Sequence, residues 1–214
     1  MTNNSVSYNE WLEARDTLLA KEKALTRQYD ALTAERQALP VVRVEKPYLF
    51  SSDSGECSLA DLFEDVSQLI VYHFMFGEDW DATCSGCTQW ANAFNGTTEK
   101  FASADARLVA VSSASIEKIT AEKLKRGWTF EWYSQGNSDF GVDFHVSSHD
   151  PTEKSRTVGG QTVNFDRGEN HCISVFKRDE AGNIYLTYSC FNRGVEPMNG
   201  AFAYYDLLPN GRQW

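Results

Sequence analysis

The 214-residue chain has a formal net charge of −10, so it repels phosphate backbones and is not expected to bind nucleic acid. Hydrophobic residues make up 42% and aromatics 13%, enough for one large α/β core and enough big rings that several must be buried or line a binding surface. No stretch approaches a membrane span, and the first residues lack the basic patch and apolar run of a leader, which predicts a soluble, cytoplasmic protein with no membrane partner.

Residues 8 to about 38 read as one long helix. Trp11, Leu18, Leu25, Leu32 and Leu39 recur every seven residues along an otherwise charged sequence. Such a narrow row fits packing along the body of the protein, or a seam to a second copy of the chain, making a homodimer through this helix. The opposing row (Ala14, Lys21, Gln28, Glu35) is mostly polar, which weakens a free-standing coiled coil. Pro40 ends the helix, and residues 1–40 form an N-terminal extension to a domain spanning 41–214, with no second domain, repeat or linker.

Residues 41–50 read as a strand with Pro47 marking an edge. A turn follows at 51–56, and Ser58 caps a short helix at 59–63. The run 69–76, Leu-Ile-Val-Tyr-His-Phe-Met-Phe, has the pattern of a strand buried on both faces. Cys87, Trp90, Ala91 and Phe94 then recur at helical spacing, so a helix begins near Ser85 and runs to about Ala104. Residues 107–113 are a second buried strand, closing a right-handed βαβ unit. A helix over 115–125 ends at Gly127, and 128–133 alternates as a strand.

Residues 134–168 are rich in Gly, Ser, Asn and Asp and read as a partly ordered insertion able to cover a site. His145 and His149 lie within it, outside any helical pattern, and are expected to be solvated or hydrogen-bonded. Residues 172–176 form a third core strand, paired antiparallel with 184–189 across a turn at 178–183. Residues 191–214 hold a last helix or coil.

The chemistry concentrates in Cys84-Ser-Gly-Cys87, where a buried strand gives way to a helix. A thiol at a helix N-terminus meets unpaired N–H groups and the positive end of the helix dipole, so the Cys84 pKa should fall. One turn brings Cys87 within bonding reach. Cys84 is then the attacking sulfur and Cys87 the resolving one in thiol–disulfide exchange. Half of a zinc site and an inert pair of buried cysteines are the alternatives.

The run Leu69 to Asp81 followed by Cys84-Ser-Gly-Cys87 resembles the signature of a bacterial family labelled domain of unknown function 899, described as predicted dithiol-disulfide oxidoreductases. Glu10-Trp-Leu-Glu-Ala-Arg, Leu39-Pro-Val-Val-Arg-Val-Glu-Lys, Leu59-Ala-Asp-Leu-Phe, Ser174-Val-Phe, Thr187-Tyr-Ser, Arg193-Gly194 and Pro209-Asn-Gly-Arg212 match as well. The resemblance implies a thioredoxin-like α/β/α sandwich of three layers with a mixed central sheet. It implies a thiol or disulfide substrate and no cofactor, and it makes Arg193 a candidate counter-charge.

In thioredoxin-like folds a cis-proline faces the CxxC. Matching Ser174-Val-Phe176 to that strand puts His171 where the proline would be, with Cys172 after it; no proline lies between Pro151 and Pro197. His171 could hold the Cys84 thiolate or act as a base, and otherwise caps the strand. Cys172 could reach substrate as a third thiol, or be a small buried residue. Cys84, Cys87 and His171 together would suit Zn²⁺ or Cu(I), as in copper-delivery relatives of the superfamily. Trp80 is expected to shield the sulfurs or offer a flat face to a substrate, while Asp79 and Asp81 would oppose the thiolate. Cys57 and Cys190 read as structural. Asp81-Ala-Thr83 lacks the proline and spaced threonine that peroxiredoxins place before their cysteine.

Overall fold

The computed structural model describes residues 4–212; the first three residues and the last two, including the end of the predicted 191–214 segment, lie outside the described residues. The chain divides into two compact units, residues 1–40 and residues 41–214. Unit one is helix α1 (Tyr8–Gln37). Ser7 and Glu10 cap it reciprocally: the Glu10 N–H donates to Ser7 Oγ at 3.3 Å and the Ser7 N–H donates to Glu10 Oε2 at 2.9 Å. None of its residues is buried, and Trp11, Leu18, Leu25 and Leu32 are exposed. No helix among the described residues is long and apolar enough to cross a membrane.

Unit two is built on a sheet of eight strands. They are β1 (Val42–Val44), β2 (Leu49–Ser52), β3 (Gly55–Ser58), β4 (Gln68–His73), β5 (Ala106–Ser112) and β6 (Trp132–Ser134), then, after a separate hairpin of β7 (Ser155–Val158) and β8 (Gln161–Asn164), β9 (Cys172–Arg178) and β10 (Ile184–Phe191). The order across the main sheet is β1-β10-β9-β4-β5-β6-β2-β3. β4, β5 and β6 run parallel and β9 is antiparallel to β4, so the sheet is mixed.

The predicted single strand over 41–50 is two strands at opposite ends of the sheet: β1 pairs with β10, and β2 with β6 and β3. Pro47 explains the break, because it lacks an N–H for a ladder and restricts Lys46 before it. The predicted strand over 128–133 pairs regularly only from Trp132, and its alternation holds as far as that residue: Trp128, Phe130 and Trp132 are buried and Thr129 and Glu131 exposed, while Tyr133 is buried as well.

The strands' two faces feed two cores. Tyr72, Phe74 and Ala110 join Trp90 and Ala91 of α2 (Ser85–Phe94) and Ile119 of α3 (Ile116–Arg126). Leu69, Val71, Val109 and Phe176 point the other way, onto Leu62 and Phe63 of a 3-10 turn and Phe140 of α4 (Phe140–Asp143). Ser58 and Asp61 close that turn's start, the Asp61 N–H donating to Ser58 Oγ at 3.3 Å and the Ser58 N–H to Asp61 Oδ2 at 2.7 Å. α2 ends at Phe94 and a separate 3-10 stretch follows over Thr98–Ala104, where one continuous helix was predicted. Asn95-Gly96 breaks it: Asn95 is extended at ψ 130° and Gly96 sits at φ +76°. A 3-10 stretch (Asn192–Met198) and α5 (Gly200–Tyr205) follow β10.

Candidate functional site

After β4 the chain leaves the sheet but stays hydrogen-bonded. The Phe74 N–H donates to the Val111 carbonyl at 2.8 Å, and the Ala114 N–H to the Phe76 carbonyl at 2.8 Å. At Gly77 it turns under Trp80, where a Cβ would stand 2.7 Å from the indole ring, so only glycine fits without displacing the ring. Cys84 is the N-cap of α2, and its carbonyl accepts the Thr88 N–H and the Thr88 hydroxyl, each at 2.9 Å. The Met75 peptide spans the pair. Its carbonyl accepts the Cys84 N–H at 3.3 Å, and its N–H donates to the Cys87 sulfur at 3.5 Å.

Cys84 is half-buried, and Cys87 is wholly inside the core. The sulfurs are close and both are free thiols. A hydrogen bond from the Cys87 thiol lowers the Cys84 pKa from 9.0 to about 6, helped by the N–H groups of Cys87 and Gly86 and opposed by burial and by Asp166. Burial pushes the Cys87 thiol well up, and the charge on Cys84 adds to that. The two sulfurs are therefore poised oppositely, one as thiolate and one as thiol.

Tyr72 lies beside them, its ring stacked on Trp90 at 5.4 Å. Its hydroxyl is buried without a hydrogen-bond partner, and the Cys87 sulfur, in the same buried cluster, is the neighbour that acts on it most. Sequence reasoning missed this residue, because a tyrosine inside an apolar strand reads as core.

The 134–168 insertion is ordered, carrying α4 and the β7–β8 hairpin. It leads into a turn in which Asp166 and Glu169 exchange backbone hydrogen bonds at 2.8 and 3.0 Å. Asp166 is the carboxylate that works against the Cys84 thiolate. Arg167, held at φ +48°, lays its guanidinium 3.8 Å from the centre of the Trp80 ring. Glu169 anchors the turn from below. Its carboxyl is buried and accepts from Ser113 at 2.6 Å and Ser147 at 3.4 Å, and burial pushes its pKa up to about 7. Neither Asp166 nor Glu169 carries a sequence signal that separates it from the chain's other acidic residues.

The profile of the family described as "Bacterial protein of unknown function (DUF899)" matches residues 1–214. The chain belongs to the DUF899 family. No curated protein matches this DUF899 chain. Among solved structures, one of peroxiredoxin Q from Xanthomonas campestris has 16% identity and a TM-score of 0.52, covering 79% of this chain and 98% of that one. A variant of the same peroxiredoxin has 17% identity and a TM-score of 0.50, covering 73% and 90%. At these identities the likeness speaks to the fold, and the DUF899 chain has the thioredoxin-like α/β fold of those proteins.

The remaining sequence candidates of the DUF899 chain are placed as follows. Trp80 is buried, so Arg167 rather than solvent covers its face. The His171 ring pairs through Nε2 with the Asn192 carbonyl at 3.2 Å, and burial lowers its pKa. Cys172 is fully buried among Val146, Val163, Phe165 and Phe191, a different cluster from the one that holds Cys84 and Cys87. Alternation explains this: Ile173 joins the cluster of the pair, and Cys172 points to the other side of β9. Arg193 pairs with Glu196 at 2.8 Å. His149 lies 3.5 Å from Asp139. Among the described residues no three His, Cys, Asp or Glu side chains converge as a metal would require, so His171 does not complete a ligand set with Cys84 and Cys87.

Proposed function

We propose that this DUF899 protein is a thiol–disulfide oxidoreductase acting through Cys84 and Cys87. The observation that carries the reading is the placement of the two thiols: Cys84 half-buried as the N-cap of α2, and Cys87 buried one turn in with its sulfur accepting the Met75 N–H at 3.5 Å; the lowered pKa of Cys84 and the raised one of Cys87 accord with it. The Cys84 thiolate attacks one sulfur of a substrate disulfide. A bond forms between Cys84 Sγ and that sulfur, and the substrate S–S bond breaks to release the first thiolate. Cys87 loses its proton to that thiolate and attacks Cys84 Sγ. The mixed disulfide breaks, the second substrate sulfur leaves as thiolate, and the enzyme keeps a Cys84–Cys87 disulfide. Two electrons pass from the pair to the substrate. An external thiol reverses the exchange and restores the dithiol.

His171 and Cys172 enter no step of this scheme. Trp80 shares the buried cluster of the pair, with Arg167 over its ring. A reducing, cytoplasmic setting belongs to the reading, since it would return the pair to the dithiol. The exposed row Trp11, Leu18, Leu25 and Leu32 suits pairing of α1 with a second copy, and sedimentation of wild type against Leu25→Glu tests that.

The decisive assay is reduction of hydroxyethyl disulfide with dithiothreitol as donor, with hydrogen peroxide tested in parallel. Turnover of the disulfide that disappears in Cys84→Ser is the expected result. Equal rates in wild type and Cys84→Ser would remove the reading, and turnover of peroxide alone would replace it with a peroxidase.

A further inference from the structure

Step two of the exchange asks for something step one does not. Once Cys84 is tied to substrate it carries no charge, and the ionised sulfur must then be Cys87, which is 2% exposed. An anion in such surroundings needs donors already in place. Met75 N–H is one, at 3.5 Å from the sulfur.

We propose that Tyr72 is the second, a catalytic residue of the resolving step whose hydroxyl donates a hydrogen bond to Cys87 as that sulfur ionises. The inference rests on the thiol–disulfide reading above. Tyr72 is 1% exposed, and its hydroxyl has no hydrogen-bond partner. A phenylalanine would fill the same space without burying an unpaired polar group, so the hydroxyl opposes packing and calls for another explanation. Cys87 shares its buried cluster, and of its neighbours that sulfur acts on the hydroxyl most. The ring cannot swing away, being stacked on Trp90 at 5.4 Å and edge-on to Phe94 at 5.6 Å and Phe74 at 6.1 Å. Burial and the neighbouring sulfurs hold the phenol far above its usual pKa, so it stays protonated and acts only as a donor.

The step balances without another reagent. The Cys87 proton leaves on the thiolate released in step one. Tyr72 keeps its own proton and only lends the hydrogen bond. The new Cys84–Cys87 bond forms as the bond from Cys84 to substrate breaks.

The test uses full-length protein in a Cys57→Ser background and the chromogenic disulfide dithiobis-nitrobenzoate. Attack by Cys84 releases one nitrothiolate, and resolution by Cys87 releases the second. Tyr72→Phe should leave the first release within about twofold and slow the second by about 10- to 100-fold, the worth of one hydrogen bond to a charged group. The pH midpoint of the second phase should also rise in Tyr72→Phe, which a merely structural role for the ring would not produce. A second phase of unchanged rate and midpoint in Tyr72→Phe overturns the proposal and leaves the thiol–disulfide reading standing. A wild-type protein that releases only one equivalent overturns both.

Discussion

The Cys84 thiolate can be tested through the group that contributes most to it. A hydrogen bond from the Cys87 thiol is the largest cause of the fall to about 6, ahead of the two helix amides. Cys87→Ala removes that donor and leaves the N–H groups of residues 86 and 87 in place. A hydrogen bond to a charged group is worth about 1.5–3 kcal/mol. Cys84 is half-buried, so solvent takes up part of the loss and the lower end applies. At about 1.4 kcal/mol per pH unit, the Cys84 midpoint should rise by about one unit, towards 7. Rates of iodoacetamide alkylation against pH, read by intact mass in a Cys57→Ser background, give the midpoint directly. The wild-type rate should stay nearly flat above pH about 7 and fall steeply below 6, whereas a free cysteine halves its reactivity near 8.5. A wild-type midpoint above 8 would mean that the helix start does not act on the sulfur. A midpoint still near 6 in Cys87→Ala would mean that the amides alone suffice. The stability linkage has a fixed sign. The folded pKa is depressed, so the contribution is full above the unfolded value and is lost as pH falls towards 6. The stability gap between wild type and Cys84→Ser should therefore widen from pH 6 to pH 9 in urea melts.

Three further outcomes follow from neighbouring groups. Asp166→Asn removes the charge that works against the thiolate, so the Cys84 midpoint should move below that of wild type in the same alkylation series; an upward move would place that carboxylate's influence elsewhere. Gly77→Ala pushes a Cβ to 2.7 Å from Trp80, and a shifted tryptophan emission with a loss of about 1–3 kcal/mol in urea melts should result; unchanged emission would mean the ring has room. Glu169 has a folded pKa of about 7, raised above the unfolded carboxyl, so the fold binds the extra proton between the two values and stability falls as pH rises from about 4.5 to 7. Glu169→Gln should flatten that slope in melting curves, and an unchanged slope would assign it to another group.

Much of this arrangement was legible because local signals and tertiary demand agreed. The buried run at 69–76 and the spacing of Cys87, Trp90 and Ala91 locate the strand's start and the helix's start within a residue, while the strand itself ends at His73, three residues before the apolar run does. What failed did so where long-range pairing decides. Nothing local tells that Val42 pairs with Leu186 while Ser51, nine residues on, pairs with Ser134 across the sheet. Cys172 was drawn to the site by a strand alignment that fixes register but not face, and a shift of one residue reverses which side chains point inwards; His171 precedes β9, and its ring turns to the Asn192 carbonyl. Tyr72 was hidden for the converse reason: its face was right, but a hydroxyl adds nothing to an apolar pattern.

The insertion was the least legible part, and it sets a limit on the site's chemistry. The amides of α2 and the Cys87 thiol would lower the Cys84 pKa further if nothing opposed them. Burial opposes them most and Asp166 adds to it, and three things hold the turn that carries Asp166. Glu169 is pinned by the hydroxyls of Ser113 and Ser147. Arg167 rests on Trp80. The β7–β8 hairpin feeds the turn from the other side, with the Asn192 side-chain amide donating to the Thr162 carbonyl at 2.9 Å. A thiolate of very low pKa is a good leaving group but a weak nucleophile, and attack is fastest when the pKa lies near the ambient pH. Burial and Asp166 together hold Cys84 near 6 rather than lower, which suits attack on a disulfide over release from one, the direction of the proposed reductase.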